Sequence, residues 1–135
     1  MKNQPQTCVT IQKEWDIVGA RQVGRDFSKK LGFGTVDQAR IATAISELAR
    51  NIYLYAGKGQ ICFEIIEDME HKGIAILATD NGPGIRDLST AMEDGYSTSG
   101  GLGAGLPGVK RLMDDFNIIS EHGQGTEIRT VKWVR

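Results

Sequence analysis

The chain reads as a two-layer α/β sandwich, with helices on one face of a mixed, mostly antiparallel sheet. Two observations carry that expectation. Strand-like runs come in adjacent pairs joined by short polar turns, which makes hairpins rather than alternating βαβ units. Ahead of them lie two helical patterns whose apolar stripes need a sheet face to cover them. At 135 residues the chain has the size of one domain, and residues 1–135 are read as a single one.

Thr7 to Ile11 is a short edge strand. Asp16 is the expected N-cap of a first helix, with Ala20, Val23, Gly24, Phe27 and Leu31 along one face and Gly32 as its stop. Thr35 and Gln38 have the spacing of a capping box. The helix they open carries Ile41, Ile45, Leu48, Ile52 and Tyr55, a 4-3-4-3 stripe. Ala56-Gly57-Lys58-Gly59 ends it. Gln60 to Glu67 and Gly73 to Thr79 alternate as strands and form the first hairpin. Arg86 to Glu93 reads as a short helix and Asp94 to Gly105 as a loop without periodicity. Leu106 to Asp115 is a helix begun near Pro107. Phe116 to Glu121 and Thr126 to Val134 make the second hairpin.

A net charge of −1 argues against a duplex nucleic-acid partner, which usually selects a basic surplus. No apolar run approaches the ~18 residues of a membrane span, and residues 1–5 lack a signal core. Neither nucleic acid nor membrane is an expected partner, and a cytoplasmic location follows as the default. Cys8 and Cys62 lie far apart with no histidine near them. They are read as small apolar residues, buried or half-buried, in a reducing compartment, and not as a metal site.

Three constellations carry chemistry. Glu47 and Asn51 are four residues apart and share a helix face, flanking the stripe by roughly 100°. A carboxylate there can take a proton from a hydroxyl, and an amide oxygen can hold Mg²⁺. Alone, the pair reads better as an ordinary solvated Glu and Asn and decides nothing. Asp80-Asn81-Gly82-Pro83-Gly84 puts an acid at a strand end before a glycine turn. Asp80 there suits an exocyclic amine of a base, although a plain turn has the same residues. Gly100-Gly101-Leu102-Gly103-Ala104-Gly105-Leu106-Pro107-Gly108 exposes consecutive N–H groups and suits an anion; a flexible linker has the same composition but would not feed an amphipathic helix so directly. Eight of the chain's 17 glycines fall between Gly82 and Gly108. Gly103 to Gly108 also fits GxGxxG literally, but no strand precedes it, so it is no dinucleotide fingerprint, and the Walker pattern GxxxxGK[ST] is absent.

These motifs, in this order, resemble those of the Bergerat-fold ATPases, the superfamily of gyrase, Hsp90, histidine kinases and MutL. Glu47 to Asn51 is similar to the N box, Asp80 to Gly84 to the G1 box and Gly101 to Gly105 to the G2 box. Gly125-Thr126 is similar to the late Gly-Thr segment. Gly32 to Arg40, Asn51 to Gly59 and Ser97 to Gly108 resemble the RsbT-type serine/threonine kinases of the bacterial stressosome, within the anti-sigma-factor kinase branch.

The resemblance implies a single histidine-kinase-like ATPase domain that transfers the ATP γ-phosphate to serine or threonine. The substrates it implies are STAS-domain scaffold and antagonist proteins, and on release the kinase would activate a PP2C-type phosphatase. Glu47 would be the base and Asn51 the Mg²⁺ ligand. Asp80, Gly82, Gly84 and Thr126 would meet adenine, and Gly100 to Gly105, Leu102 and Ala104 included, would cover the phosphates. Lys110 and Arg111 read either as counter-charges or as a solvated helix face. Two other readings stay open: an anti-sigma factor that sequesters a sigma factor, and a nucleotide-gated module without catalysis. Tyr55 stands where anti-sigma kinases often carry histidine, which favours the kinase reading.

Overall fold

A computed structural model describes residues 6–82, 105–121 and 123–135. Strand β1 is Thr7–Ile11, and helices α1, Trp15–Leu31, and α2, Thr35–Asn51, follow. A π-helical turn, Ile52–Ala56, leads into β2, Gly59–Glu67, and β3, Lys72–Asp80. Helix α3, Gly105–Leu112, precedes β4, Asp115–Glu121, and β5, Gly125–Trp133.

The five strands form one sheet in the order β1-β2-β3-β5-β4, and every pairing is antiparallel. Both expected hairpins are present. They are joined by the β3–β5 pair, which sets Asp80 opposite Thr126. The expected sandwich therefore stands, with a wholly antiparallel sheet. The helices lie on one face. Ile61, Phe63, Ile74, Ile76, Ala78 and Ile128 point to them and are buried with Ile17, Ala20, Ile41, Ile45 and Leu48. Burial of such side chains contributes about 1.5–3 kcal/mol each. Helix α1 lies so close to α2 that a Cβ at Gly24 would run into Ile45 Cδ1.

Several local expectations are corrected. Helix α1 begins one residue before Asp16, whose carboxylate accepts the N–H groups of Gln12 and Lys13 at 3.0 and 2.8 Å from within the first turn. Those bonds, Lys13 first and then Gln12, hold the Asp16 carboxyl below its usual range. Thr35 and Gln38 form no capping box: Gly34 occupies the cap position, and Gln38 Nε2 donates to the Phe33 carbonyl at 2.7 Å. The helix before β4 stops at Leu112, because Asp114 N–H already pairs with Val131 O at 2.9 Å.

Cys8 and Cys62 form a disulfide, contrary to the reading of two apolar thiols. They are register partners on neighbouring antiparallel strands, so both sulfurs leave the sheet on the face away from the helices. Fifty-four residues of separation hid that proximity. Lys132 is a second feature missed. Its ammonium is buried beneath the helices, donating to Leu112 O at 2.7 Å and standing 3.7 Å from the Asp37 carboxylate. It ties the end of α3 to the start of α2. The expected elements at Arg86 to Glu93 and Asp94 to Ala104 lie outside the described residues.

Candidate active site at the end of helix α2

Glu47 sits in the last turns of α2 and is 3% exposed. Flank positions of a single-sided helix would be half open. Here α1 and α3 also close on α2, so Ala42, Ser46 and Ala49 are covered along with the stripe. A buried carboxylate needs partners. Glu47 Oε1 accepts from Arg50 Nη1 at 2.6 Å, while Oε2 is buried and has no hydrogen-bond partner among the described residues. An ordinary solvated glutamate is thereby ruled out at this position. Asn51, one turn on, is half-buried and is the last α-helical residue.

The chain then widens into the π turn, closed by Gly57 N–H on Ile52 O at 2.9 Å, with Gly57 at φ +81°. Such a turn shifts the register of the residues after it. Ile52 stays in the core, but Tyr55 leaves the stripe and is 43% exposed, correcting its place in the apolar face. Ala56 abuts Gly82: a Cβ at Gly82 would lie 2.6 Å from Ala56 Cβ. The close approach that requires glycine at this position is thus to the π turn. Asp80 Oδ1 accepts the Gly82 N–H at 2.9 Å, which folds the turn after β3. Among the described residues, Oδ2 carries no hydrogen bond.

Asp80 and Thr126 lie on the helix-bearing face, because Ala78 and Ile128, two residues along each strand, are in the core. Gly125, at φ +110°, lets the two strands meet there: a Cβ would run into the Asp80 carbonyl oxygen. Thr126 Oγ1 is 2.9 Å from Ser120 Oγ, and Ser120 Oγ–H donates to Gly125 O at 3.2 Å. Sequence reasoning missed Ser120. Its signal was the hairpin itself, which makes Ser120 and Thr126 opposite partners. Nothing in composition marks one serine, so only counting the register would have found it.

The structure brings Asp80, Gly82 and Thr126 together, with the π turn linking them to Asn51. Gly84, Gly100, Gly101, Leu102, Gly103 and Ala104 lie outside the described residues. Gly105 opens α3 at φ +65°, and Leu106 to Val109 are buried behind it. Lys110 and Arg111 are exposed on its last turn, as either sequence reading allows. An apolar hollow of about 400 Å³, lined by Thr35, Val36, Ala39, Arg40, Thr43 and Leu112, lies at the opposite end of α2. Its lining reaches along the helix to Thr43, four residues or roughly 6 Å from Glu47.

Residues 36–134 match the family described as histidine kinase-, DNA gyrase B- and HSP90-like ATPases. The chain is 68% identical over 130 residues to the serine/threonine-protein kinase RsbT of Bacillus subtilis, covering 96% of this chain and 98% of that one. This chain belongs to that ATPase family, in its RsbT-type serine/threonine kinase branch. It is thus grouped with ATP-dependent protein kinases. It is also 30% identical over 120 residues to an anti-sigma F factor of Caldanaerobacter subterraneus subsp. tengcongensis, covering 85% of this chain and 83% of the relative. Its fold matches a crystal structure of the RsbU and RsbW domains of a Mycobacterium tuberculosis protein. The TM-score is 0.67 at 15% identity, over 96% of this chain and about a third of that one.

Proposed function

We propose that this kinase transfers the ATP γ-phosphate to a serine or threonine of STAS-domain partners, with Glu47 as the base. One observation carries the reading: a carboxylate oxygen, buried and unpaired among the described residues, one helical turn from Asn51. Glu47 Oε2 takes the proton of the incoming hydroxyl while its oxygen bonds to the γ-phosphorus. The bond from that phosphorus to the β–γ bridging oxygen breaks, and ADP leaves with the electron pair. Arg50 holds the other carboxylate oxygen, so the base is positioned before substrate arrives.

The Asn51 side-chain oxygen, a neutral hard donor at the rim of the helix end, suits Mg²⁺, which would draw charge from the phosphates. Asp80 and Thr126 would recognise adenine, with Gly82 and Gly84 shaping the turn. Gly100, Gly101, Leu102, Gly103, Ala104 and Gly105 would offer backbone N–H groups to the phosphates ahead of α3.

The similarity to RsbT supports the further reading of a partner-switching protein, a single domain over residues 1–135 in the cytoplasm. After release from its scaffold it would activate a PP2C-type phosphatase. Incubating the chain with Mg-ATP and purified STAS-domain proteins tests this reading, with phosphoserine or phosphothreonine on the partner as the expected product. A second reading has its own support in the anti-sigma F factor relatives. Under it the chain captures a sigma factor in a nucleotide-dependent way. Tyr55, exposed beside the site, favours the first. Retention of a sigma factor and not of STAS proteins on the immobilised chain would reverse the order.

A further inference from the structure

Helix α2 carries a second stripe besides the one that faces the sheet. Val36, Arg40, Thr43, Glu47 and Arg50 follow a 4-3-4-3 spacing, so they lie in one row, turned roughly 150° from Ile41, Ile45 and Leu48. The first three line the apolar hollow between α2 and Leu112 of α3, and the fourth is the buried carboxylate. The hollow therefore lies on the row that leads to Glu47. Thr43 and Val36 stand roughly 6 and 16 Å before it along the helix axis.

Charge along this row is uneven. Asp37 accepts from Arg40 Nη1 at 3.1 Å and stands 3.7 Å from the buried ammonium of Lys132. Glu47 is held by Arg50. Three cations thus meet two carboxylates, on a chain whose net charge is −1. Arg40 is exposed and Arg50 half-buried, whereas Glu47 is covered and Asp37 half-buried between its two cations. What reaches solvent on this face is mainly guanidinium. Val36, 62% exposed beside the hollow, is an apolar surface that docking would cover. An open apolar floor under an arginine rim fits a protein segment with an apolar side chain among acidic ones.

We propose that the hollow docks the stretch of the protein substrate beside its phosphoacceptor, seating an apolar side chain with acidic neighbours so that the acceptor hydroxyl reaches Glu47. The inference rests on the reading of Glu47 as the base and of STAS-domain proteins as the substrates. It makes Val36 and Arg40 specificity-determining residues apart from the nucleotide. The anchor side chain lies within roughly 16 Å of the acceptor hydroxyl, about five residues of extended chain.

The test is steady-state transfer of labelled γ-phosphate to a purified STAS-domain protein, with ATP affinity measured beside it for every variant. Val36→Glu adds an acid to the first turn of α2, where the helix dipole favours one, so the fold is spared. Its KM for the partner rises about tenfold while ATP affinity moves less than about twofold. Val36→Leu keeps the native KM. Arg40→Gln raises KM about threefold and weakens its dependence on salt. Arg25→Gln, which removes a charge from the exposed side of α1, changes neither.

Native KM in both Val36→Glu and Arg40→Gln overturns the inference and leaves the kinase reading standing. A fall in ATP affinity that matches the fall in transfer also overturns it, because α2 itself is then disturbed. Dissociation of a native dimer by Val36→Glu at unchanged KM overturns it and gives the hollow to a second copy of the chain. No transfer to STAS-domain proteins by the native chain overturns the substrate reading and the inference together. Should Val36→Glu fail to fold, Thr43→Glu, at an exposed position of the same row, replaces it with the same expected KM.

Discussion

The Glu47–Arg50 pair bridges interior and surface, with side-chain exposures of 4% for the carboxylate and 34% for the guanidinium. Removing Arg50 leaves a buried carboxylate with neither oxygen paired. Arg50→Ala is therefore expected to cost about 1–3 kcal/mol in urea unfolding. Much of that cost should vanish when Glu47→Ala is added, because the stranded acceptor goes with it. A neutral Arg50→Ala would mean the pair acts like a surface contact.

Among the described residues, two carboxylates are placed to contribute to acid lability. Asp68 is held below the usual range by N–H bonds from Glu70 first and then His71, as Asp16 is by Lys13 and Gln12. A depressed folded value stabilises above the unfolded one, about 3.9, and that stabilisation is lost as pH falls through the folded one. Asp16→Asn and Asp68→Asn should each flatten the loss of stability below about pH 5. Unchanged acid limbs in both variants would place the lability elsewhere.

Among the elements, β1 depends most on a covalent link. It is an edge strand paired to β2 alone, and its exposed Cys8 is tied to Cys62, which is 4% exposed. A link across 54 residues contributes up to about 4 kcal/mol by loop entropy. A reductant, or Cys8→Ser, should lower the urea midpoint accordingly and expose β1 amides to exchange first. Identical unfolding curves with and without reductant would show that the link carries no stability. The β3–β5 seam depends on Gly125. Gly125→Ala combines a strained φ of +110° with a Cβ driven into the Asp80 carbonyl. ATP binding should fall in this variant by about tenfold or more, and native affinity would show that the seam tolerates the added Cβ.

Over the whole molecule, local signals were legible and non-local ones were not. Each hairpin announced itself through its polar turn, and the Ile41 to Leu48 stripe fixed the buried face of α2. Asp80, Gly82 and Thr126 were found as separate motifs, and the β3–β5 register that unites them is a long-range pairing no periodicity reveals. The same applies to Cys8 with Cys62 and to Lys132 with Asp37. The π turn was hidden because Ile52 to Tyr55 continues an acceptable helical stripe, while its hydrogen bonds slip by one residue. The burial of Glu47 followed from three elements closing on α2, where one helix wheel sees only one neighbour.

The central claim is that Glu47 acts on the phosphoacceptor hydroxyl and not on nucleotide binding. The most direct test sets ATP affinity beside transfer of labelled γ-phosphate to a STAS-domain partner, for the native chain and Glu47→Gln. The neutral amide keeps the shape and an acceptor for Arg50, so affinity should stay within about threefold while transfer falls by about 10²-fold or more. Equal losses in affinity and transfer, or transfer at the native rate, would contradict the assignment of Glu47 as the base.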